Sequence, residues 1–169
     1  MKEPTIQFSY AKLDDLPDIV AIYNSTIAGR MVTADLEPVT VESRIPWFEE
    51  HTPDKRPLWV MRMNGQIAGW VSLSSFYGRP AYDATAEVSV YVDEAYRGTG
   101  AGSRLMEKII QDCPRLQVTT ILGFVFGHNE PSLRLLQKFG FEQWGYYPEV
   151  AVLDGMKRDL AVLGKKLDS

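Results

Sequence analysis

Apolar residues recur along this chain with two different periods, and the changes of period mark out its elements. Ile6–Tyr10 reads as a short strand. Leu16, Ile19, Val20, Tyr23 and Ile27 then fall at i, i+3, i+4 and i+7 spacings, which predicts a helix begun by Asp14 or Asp15. Residues 28–40 carry no period and are expected to be irregular. Thr40 is placed to N-cap a second helix through Trp47 and Phe48, which Pro46 must bend or shorten. Leu58–Met63 and Gln66–Ser72 are strand-like, and the Asn64-Gly65 pair between them is the preferred centre of a type I′ turn, so a hairpin is predicted.

Beyond the loop FYGRPAYDAT, the segment AEVSVYV (86–92) alternates and is rich in β-branched residues, the mark of a strand. Leu105, Met106, Ile109 and Ile110 line one face of a helix ending near Pro114. Residues 119–126, TTILGFVF, form a strand of the fully buried kind. Pro131 and Gly140 bracket a helix carrying Leu133, Leu136 and Phe139, and short strands are expected near 141–146 and 156–163. This order predicts a mixed α/β sheet with helices crossing over between strands.

Composition narrows the function. The chain has 169 residues, 45% hydrophobic and 24% charged, which suits one globular domain over 1–169. Its net charge of −4, without a Lys/Arg block, argues against a nucleic-acid or membrane-surface partner. Cys113 is the only cysteine, so no internal disulfide can form. With no apolar leader or membrane-length segment, a cytoplasmic location is expected. His51 and His128 form no metal-ligand spacing, and no metal is expected.

The junction of the 86–92 strand and the next helix reads YRGTGAGSR, with glycines at 98, 100 and 102. A helix start exposes unpaired N–H groups and the positive end of the helix dipole, and glycines let those groups converge on a phosphate. A Walker A loop is excluded because no lysine follows the last glycine. A dinucleotide fingerprint is excluded because Ser103 stands where its third glycine belongs and Gln117 where its acidic residue belongs.

Arg97-x-x-Gly100-x-Gly102 does resemble the acyl-CoA loop of the GCN5-related N-acetyltransferase (GNAT) family. The segment HNEPSLRLLQKFGF (128–141) is similar to that family's second signature. The resemblance implies the GNAT fold, a mostly antiparallel twisted sheet flanked by helices, with acetyl-CoA as co-substrate. It implies pyrophosphate contacts from Arg97, Gly98, Thr99, Gly100, Ala101, Gly102 and Ser103. Asn129 would bond the pantetheine arm, with Ser132 near the thiol end; Asn129 as a simple N-cap is the plainer reading, and both can hold. Backbone groups of Val90, Tyr91 and Val92 would line the pantetheine where the strand splays from its neighbour, with an N–H near Val90 serving the oxyanion.

IYNSTIAGRMVTADLEPVTVESRIPWF (22–48) and GWVSLSSFYGRPAYDATAEVSVYV (69–92) are similar to the phosphinothricin acetyltransferase subgroup. That subgroup implies transfer to the α-amino group of phosphinothricin, methionine sulfone or methionine sulfoximine, and usually a homodimer. The segment VAVLDGMKRDLAVLG departs from the herbicide-resistance enzymes and leaves the acceptor open.

Acetyl transfer to an ammonium needs a base, and strand alternation puts Glu87, Ser89 and Tyr91 on one face, with Glu87 the candidate base acting through a water. A carboxylate in a central strand otherwise asks for an ion pair with an arginine. Arg79 and Tyr82, with Phe76 and Tyr77, are candidate acceptor contacts, and the resemblance adds Thr33 and Glu37. The tryptophans read as core or subunit interface, and Cys113 as a passive thiol. The proton donor to the leaving thiolate stays unassigned between Tyr146, Tyr147 and water. Two other functions remain open: a non-catalytic acyl-CoA sensor on the same fold, and a peptide or protein N-acetyltransferase.

Overall fold

The computed structural model describes residues 4–167. It contains strands β1 (Ile6–Tyr10), β2 (Leu58–Met63), β3 (Gln66–Ser75), β4 (Thr85–Val92), β5 (Thr120–Phe126), β6 (Glu142–Leu153) and β7 (Met156–Lys166). The α-helices are α1 (Leu16–Ser25), α2 (Val41–Glu49), α3 (Ala101–Asp112) and α4 (Glu130–Lys138). One seven-stranded sheet runs in the order β1-β2-β3-β4-β5-β7-β6. Every neighbouring pair is antiparallel except β4 and β5.

The elements follow the local rules that predict them. Thr40 Oγ1 accepts from Ser43 N (3.1 Å) to cap α2, which continues past Pro46 to Glu49. Asn64 and Gly65 both have positive φ (52° and 85°), as the type I′ turn between β2 and β3 requires. α1 stops at Ser25, short of Ile27, yet Ile27 is buried just beyond the helix end.

The C-terminal hairpin is longer than expected. β6 reaches Leu153, and Asp154-Gly155 (φ 53° and 77°) make a second turn of the same kind. The Asp-Gly dipeptide was the available signal; the second half of β6 lies beyond the strand expected near 141–146 because five of the element's apolar side chains stand in the open, not alternating against a core.

Two cores cover the two faces of the sheet. On one, Leu105, Met106 and Ile109 of α3 pack on Met61, Val71, Leu73 and Val88. On the other, Leu16, Ile19, Val20 and Ile22 of α1 pack on Leu58, Val60 and Trp70, with Tyr23, Ile45, Trp47 and Tyr91 around them. Gly69 allows β3, β4 and α3 to meet: a Cβ there would lie 2.6 Å from the Tyr91 carbonyl oxygen and 2.9 Å from Leu105 Cδ1.

The β4–β5 ladder is the feature that positions the site. It holds only Thr85↔Thr120, Ala86↔Ile121 and Glu87↔Leu122, and beyond Glu87 the two strands part. The Ala84 carbonyl accepts from Thr119 and Thr120, so it points toward β5. Since backbone groups alternate along a strand, those of Val88, Val90 and Val92 also point to that side, into the opening.

Candidate active site

Three adjoining cavities meet at this opening. The first, about 220 Å³, is lined on the α1/α2 side by Tyr23, Arg44, Trp47, Trp70, Glu87 and Tyr91, among others. The second is a groove of about 760 Å³ running past the segment after α1, the glycine loop and the start of α4. The third, about 80 Å³, fills the wedge between β4 and β5 and shares Ser89 and Tyr91 with the first and Val90, Asn129 and Ser132 with the second. The wedge therefore links the groove on one side to the smaller pocket on the other.

The groove is built for an anion followed by an extended amide chain. Gly98 (φ 77°) and Gly100 (φ 84°) turn the loop through the left-handed region, and α3 starts directly after Gly100. The amides of Ala101, Gly102 and Ser103 precede the first intrahelical bond, Arg104 N to Gly100 O (3.1 Å), and stand free among the described residues. Arg97, Gly98, Gly100, Ala101, Gly102 and Ser103 all line the groove. Thr99 does not, and its hydroxyl instead donates to the Tyr96 carbonyl.

Asn129 is buried and serves as the expected N-cap. Its Oδ1 accepts from Ser132 N (3.3 Å) to cap α4. Its Nδ2 has no protein partner among the described residues, while Asn129 lines both the groove and the wedge. Unpaired β4 backbone, a free amide donor and an anion cradle fit coenzyme A, whose pantetheine amides need such partners and whose pyrophosphate needs such a cradle.

The smaller pocket rests on three cross-strand pairs of β3 and β4: Trp70↔Tyr91, Ser72↔Ser89 and Ser74↔Glu87. The two serines lie between the large Trp70–Tyr91 pair and the carboxylate, and their small size leaves the hollow. Glu87 is half-buried and has no ion pair or hydrogen bond among the described residues, so the arginine partner that a structural role would require is not found there. Burial raises its pKa above the ordinary carboxylate value. Tyr23 and Tyr91 are likewise raised, first by burial, and stay protonated at neutral pH.

The other predicted acceptor contacts lie apart. Thr33 is buried one layer behind the pocket wall, its Oγ1 2.6 Å from the Tyr23 hydroxyl. Glu37 is exposed and lines none of the three cavities. Phe76, Tyr77 and Tyr82 form an aromatic cluster of their own (centroids 4.2–5.6 Å apart), and with Arg79 they lie outside the lining. Their loop leaves β3 one residue after Ser74 of the lining, and buried Arg56 pins it through Ser75 Oγ (3.1 Å) and the Asp83 carbonyl (2.9 Å).

The pocket residues that sequence reasoning missed are Tyr23, Arg44, Ser72 and Ser74, and Trp47 and Trp70 were taken for plain core or interface. One signal was available: Ser72 and Ser74 put two small polar side chains on an otherwise buried strand face. Of the groups set aside, Cys113 is fully buried, which pushes its thiol up to about 12 and keeps it passive. Trp47 O lies 2.7 Å from His51 Nδ1, and burial lowers the His51 pKa. His128 Nε2–H donates to the Arg30 carbonyl (2.8 Å). Among the described residues no group of three or more His, Cys, Asp or Glu is placed to hold a metal, and no helix is long and apolar enough to cross a membrane.

A sheet opened between two parallel strands, with an anion cradle on one side and a half-buried carboxyl on the other, fits a CoA-dependent acyltransferase. The chain belongs to the Acetyltransferase (GNAT) family, which it matches over residues 17–141, and is an N-acetyltransferase. It is 54% identical over 154 residues to YwnH of Bacillus subtilis (strain 168), a protein provisionally named as a phosphinothricin acetyltransferase, covering 90% of this chain and 94% of that one. It is 28% identical to the L-methionine sulfoximine/L-methionine sulfone acetyltransferase of Salmonella typhimurium, covering 97% and 95%. Among solved structures, the Salmonella typhimurium acetyltransferase yncA, determined with acetyl-CoA, superposes with a TM-score of 0.90 at 26% identity, covering 97% of this chain and 95% of the other.

Proposed function

We propose that this enzyme acetylates the α-amino group of a small amino acid or analogue of the phosphinothricin and methionine sulfone or sulfoximine type, with Glu87 as base. The observation that carries the reading is the smaller pocket. Its volume of about 220 Å³ is below the roughly 300 Å³ at which drug-sized sites begin, so it suits a single amino acid, and the one carboxyl in its lining, Glu87, has no ion pair among the described residues. The names of the relatives support the same acceptor class.

Acetyl-CoA supplies the acetyl group as a thioester. The loop amides of Gly98 and of Gly100 to Ser103, with the Arg97 guanidinium, hold the pyrophosphate, Thr99 shaping the loop between them, and Asn129 Nδ2 with the β4 backbone holds the pantetheine. Glu87 accepts a proton from the acceptor ammonium through a water, which frees the nitrogen lone pair. The Val90 N–H, turned into the wedge, donates to the carbonyl oxygen as negative charge builds there. The new C–N bond replaces the C–S bond, the nitrogen gives up its second proton to solvent as the amide forms, and the leaving thiolate takes one up from solvent. Phe76, Tyr77, Arg79 and Tyr82, in the loop next to the pocket rim, are proposed to contact the outer part of the acceptor, with Thr33 and Glu37 behind and beside it.

We further propose a single domain acting in the cytoplasm as a homodimer, without metal, nucleic-acid or membrane partners. Trp144, Tyr146, Val150 and Val152 stand 45–58% exposed along β6, an edge strand, and an apolar edge of that kind is normally covered. Light scattering should give twice the chain mass, and Val152→Lys should reduce it to one.

The activity is tested by thiol release from acetyl-CoA in the presence of methionine sulfone, methionine sulfoximine, phosphinothricin or free glutamate. Turnover of at least one is expected. Silence on all four with acetyl-CoA still bound would transfer the reading to another amine or to a sensor.

A further inference from the structure

We infer that Arg44 anchors the α-carboxylate of the acceptor and so decides that the substrate is a zwitterionic amino acid; this rests on the function proposed above. The pocket lining contains one cation, Arg44, and one carboxyl, Glu87. A free α-amino acid carries both charges on one carbon, so a pocket that places a carboxyl for the ammonium is incomplete without a cation beside it.

Arg44 is poised but not satisfied. A guanidinium has five N–H donors. The one polar contact of Arg44 among the described residues is Nη2 to Asp35 Oδ2 at 3.5 Å, long beside the roughly 2.7–2.9 Å of a close charge-assisted bond. That same Asp35 oxygen already accepts from the Tyr23 hydroxyl. Most of the Arg44 donors therefore remain for a ligand.

Its orientation is fixed by aromatic packing. The guanidinium carbon lies 4.6 Å from the centroid of Tyr23 and 5.7 Å from that of Trp47, both pocket walls. A planar fork held against rings presents a paired edge to a carboxylate, which a lysine ammonium cannot do. The side chain is 25% exposed, so its field is less screened than that of a surface arginine.

Arg79, to which the sequence points for an anionic group, is exposed and outside the lining. The acceptors in the relatives' names differ at their tips, phosphinate against sulfone or sulfoximine, while the α-carboxylate is common to all. Arg44 is assigned to that shared group and not to the tip.

The test compares methionine sulfone, whose tip is neutral, with its carboxamide, at saturating acetyl-CoA, in the wild type, Arg44→Gln and Arg44→Lys. Losing a charge-assisted bond should raise KM for the acid by roughly 10- to 100-fold in Arg44→Gln, with a smaller change in kcat. Arg44→Lys, which keeps the charge and the stem, should raise it less. The carboxamide, already poor with the wild type, should respond to neither substitution. Acetyl-CoA affinity by calorimetry should be unchanged in all three proteins.

An acid-to-carboxamide ratio that stays constant across the three proteins would overturn the assignment of Arg44 alone. A wild type that binds acetyl-CoA and turns over no α-amino acid would overturn the proposed function, and Arg44 with it.

Discussion

Tyr91 lies stacked on Trp70, with ring centroids 4.5 Å apart and planes 18° from parallel. Tyr91 lines all three cavities, so this pair forms the partition between the acceptor pocket and the CoA groove. Further along the same two strands, Ser72, Ser89, Ser74 and Glu87 turn that aromatic wall into a polar hollow. The chemistry proposed for Glu87 would thus fall on the stretch of β4 where the sheet has just opened.

Glu87→Gln keeps the shape of that hollow and removes its base. Turnover at pH 7 should fall by on the order of 10²-fold or more, with acetyl-CoA affinity unchanged. In the wild type, kcat/KM should rise with pH through an apparent pKa above the ordinary carboxylate range, as the raised Glu87 pKa requires. Unchanged turnover in the variant would remove Glu87 from the mechanism.

The same substitution should stabilise the protein, and the sign follows from linkage. Burial raises the Glu87 pKa in the folded state above 4.5, the ordinary value that applies when unfolded. Below pH ~4 both states carry the proton and the side chain exerts no pH-dependent effect. As the pH rises through the folded-state pKa, the folded protein must expose a charge to a poorly solvated site and loses stability. The melting temperature of Glu87→Gln should therefore exceed that of the wild type at pH 8, with the difference shrinking toward pH 4.

Asn129→Ser separates capping from ligand binding. Serine caps a helix about as well as asparagine, so thermal stability should change by less than ~0.5 kcal/mol. The Nδ2 donor is lost, and acetyl-CoA affinity measured by calorimetry should fall by roughly 5- to 10-fold. Equal affinity in the two proteins would leave Asn129 as a cap alone.

Gly100→Ala forces a side chain into left-handed backbone at φ 84°. No atom lies within 4 Å of the added Cβ, so the expected loss of about 1–2 kcal/mol comes from backbone strain and not from a clash. If the loop relaxes to relieve it, the cradle opens and KM for acetyl-CoA should rise while KM for the acceptor stays the same.

Gly69→Ala acts on the other side of the partition. Its Cβ would press on the Tyr91 carbonyl at 2.6 Å, a backbone atom that cannot swing away. Overpacking of this kind should cost about 1–3 kcal/mol in chemical denaturation. It should also lower kcat more than it alters acetyl-CoA binding, because Tyr91 moves first.

The elements bounded by strong local chemistry were legible in the chain itself. Asn64-Gly65, Thr40, the glycine loop and the Pro131–Gly140 bracket each fix backbone geometry within a few residues, and the structure agrees at each. Alternation likewise placed Glu87, Ser89 and Tyr91 on one face. The acceptor pocket was only half legible, because its walls come from α1, α2 and β3, brought together by packing across the sheet. Arg44 has nothing in its neighbours to distinguish it from a solvated helix arginine; only the ring of Tyr23, 21 positions away, gives it a role. The aromatic loop from Phe76 to Tyr82 is the converse case: its rings, close in sequence, pack on one another beside the pocket and outside its lining.

The opening between β4 and β5 also bears on how the molecule holds together. Three residue pairs join β1–β4 to β5–β7 across that seam, against seven at the neighbouring β3–β4 ladder. A pantetheine chain lying in the gap would act as a tie between the two halves, completing hydrogen bonds that the polypeptide leaves undone. The co-substrate would in that sense be a removable structural member, bracing the centre of the sheet for as long as it is bound.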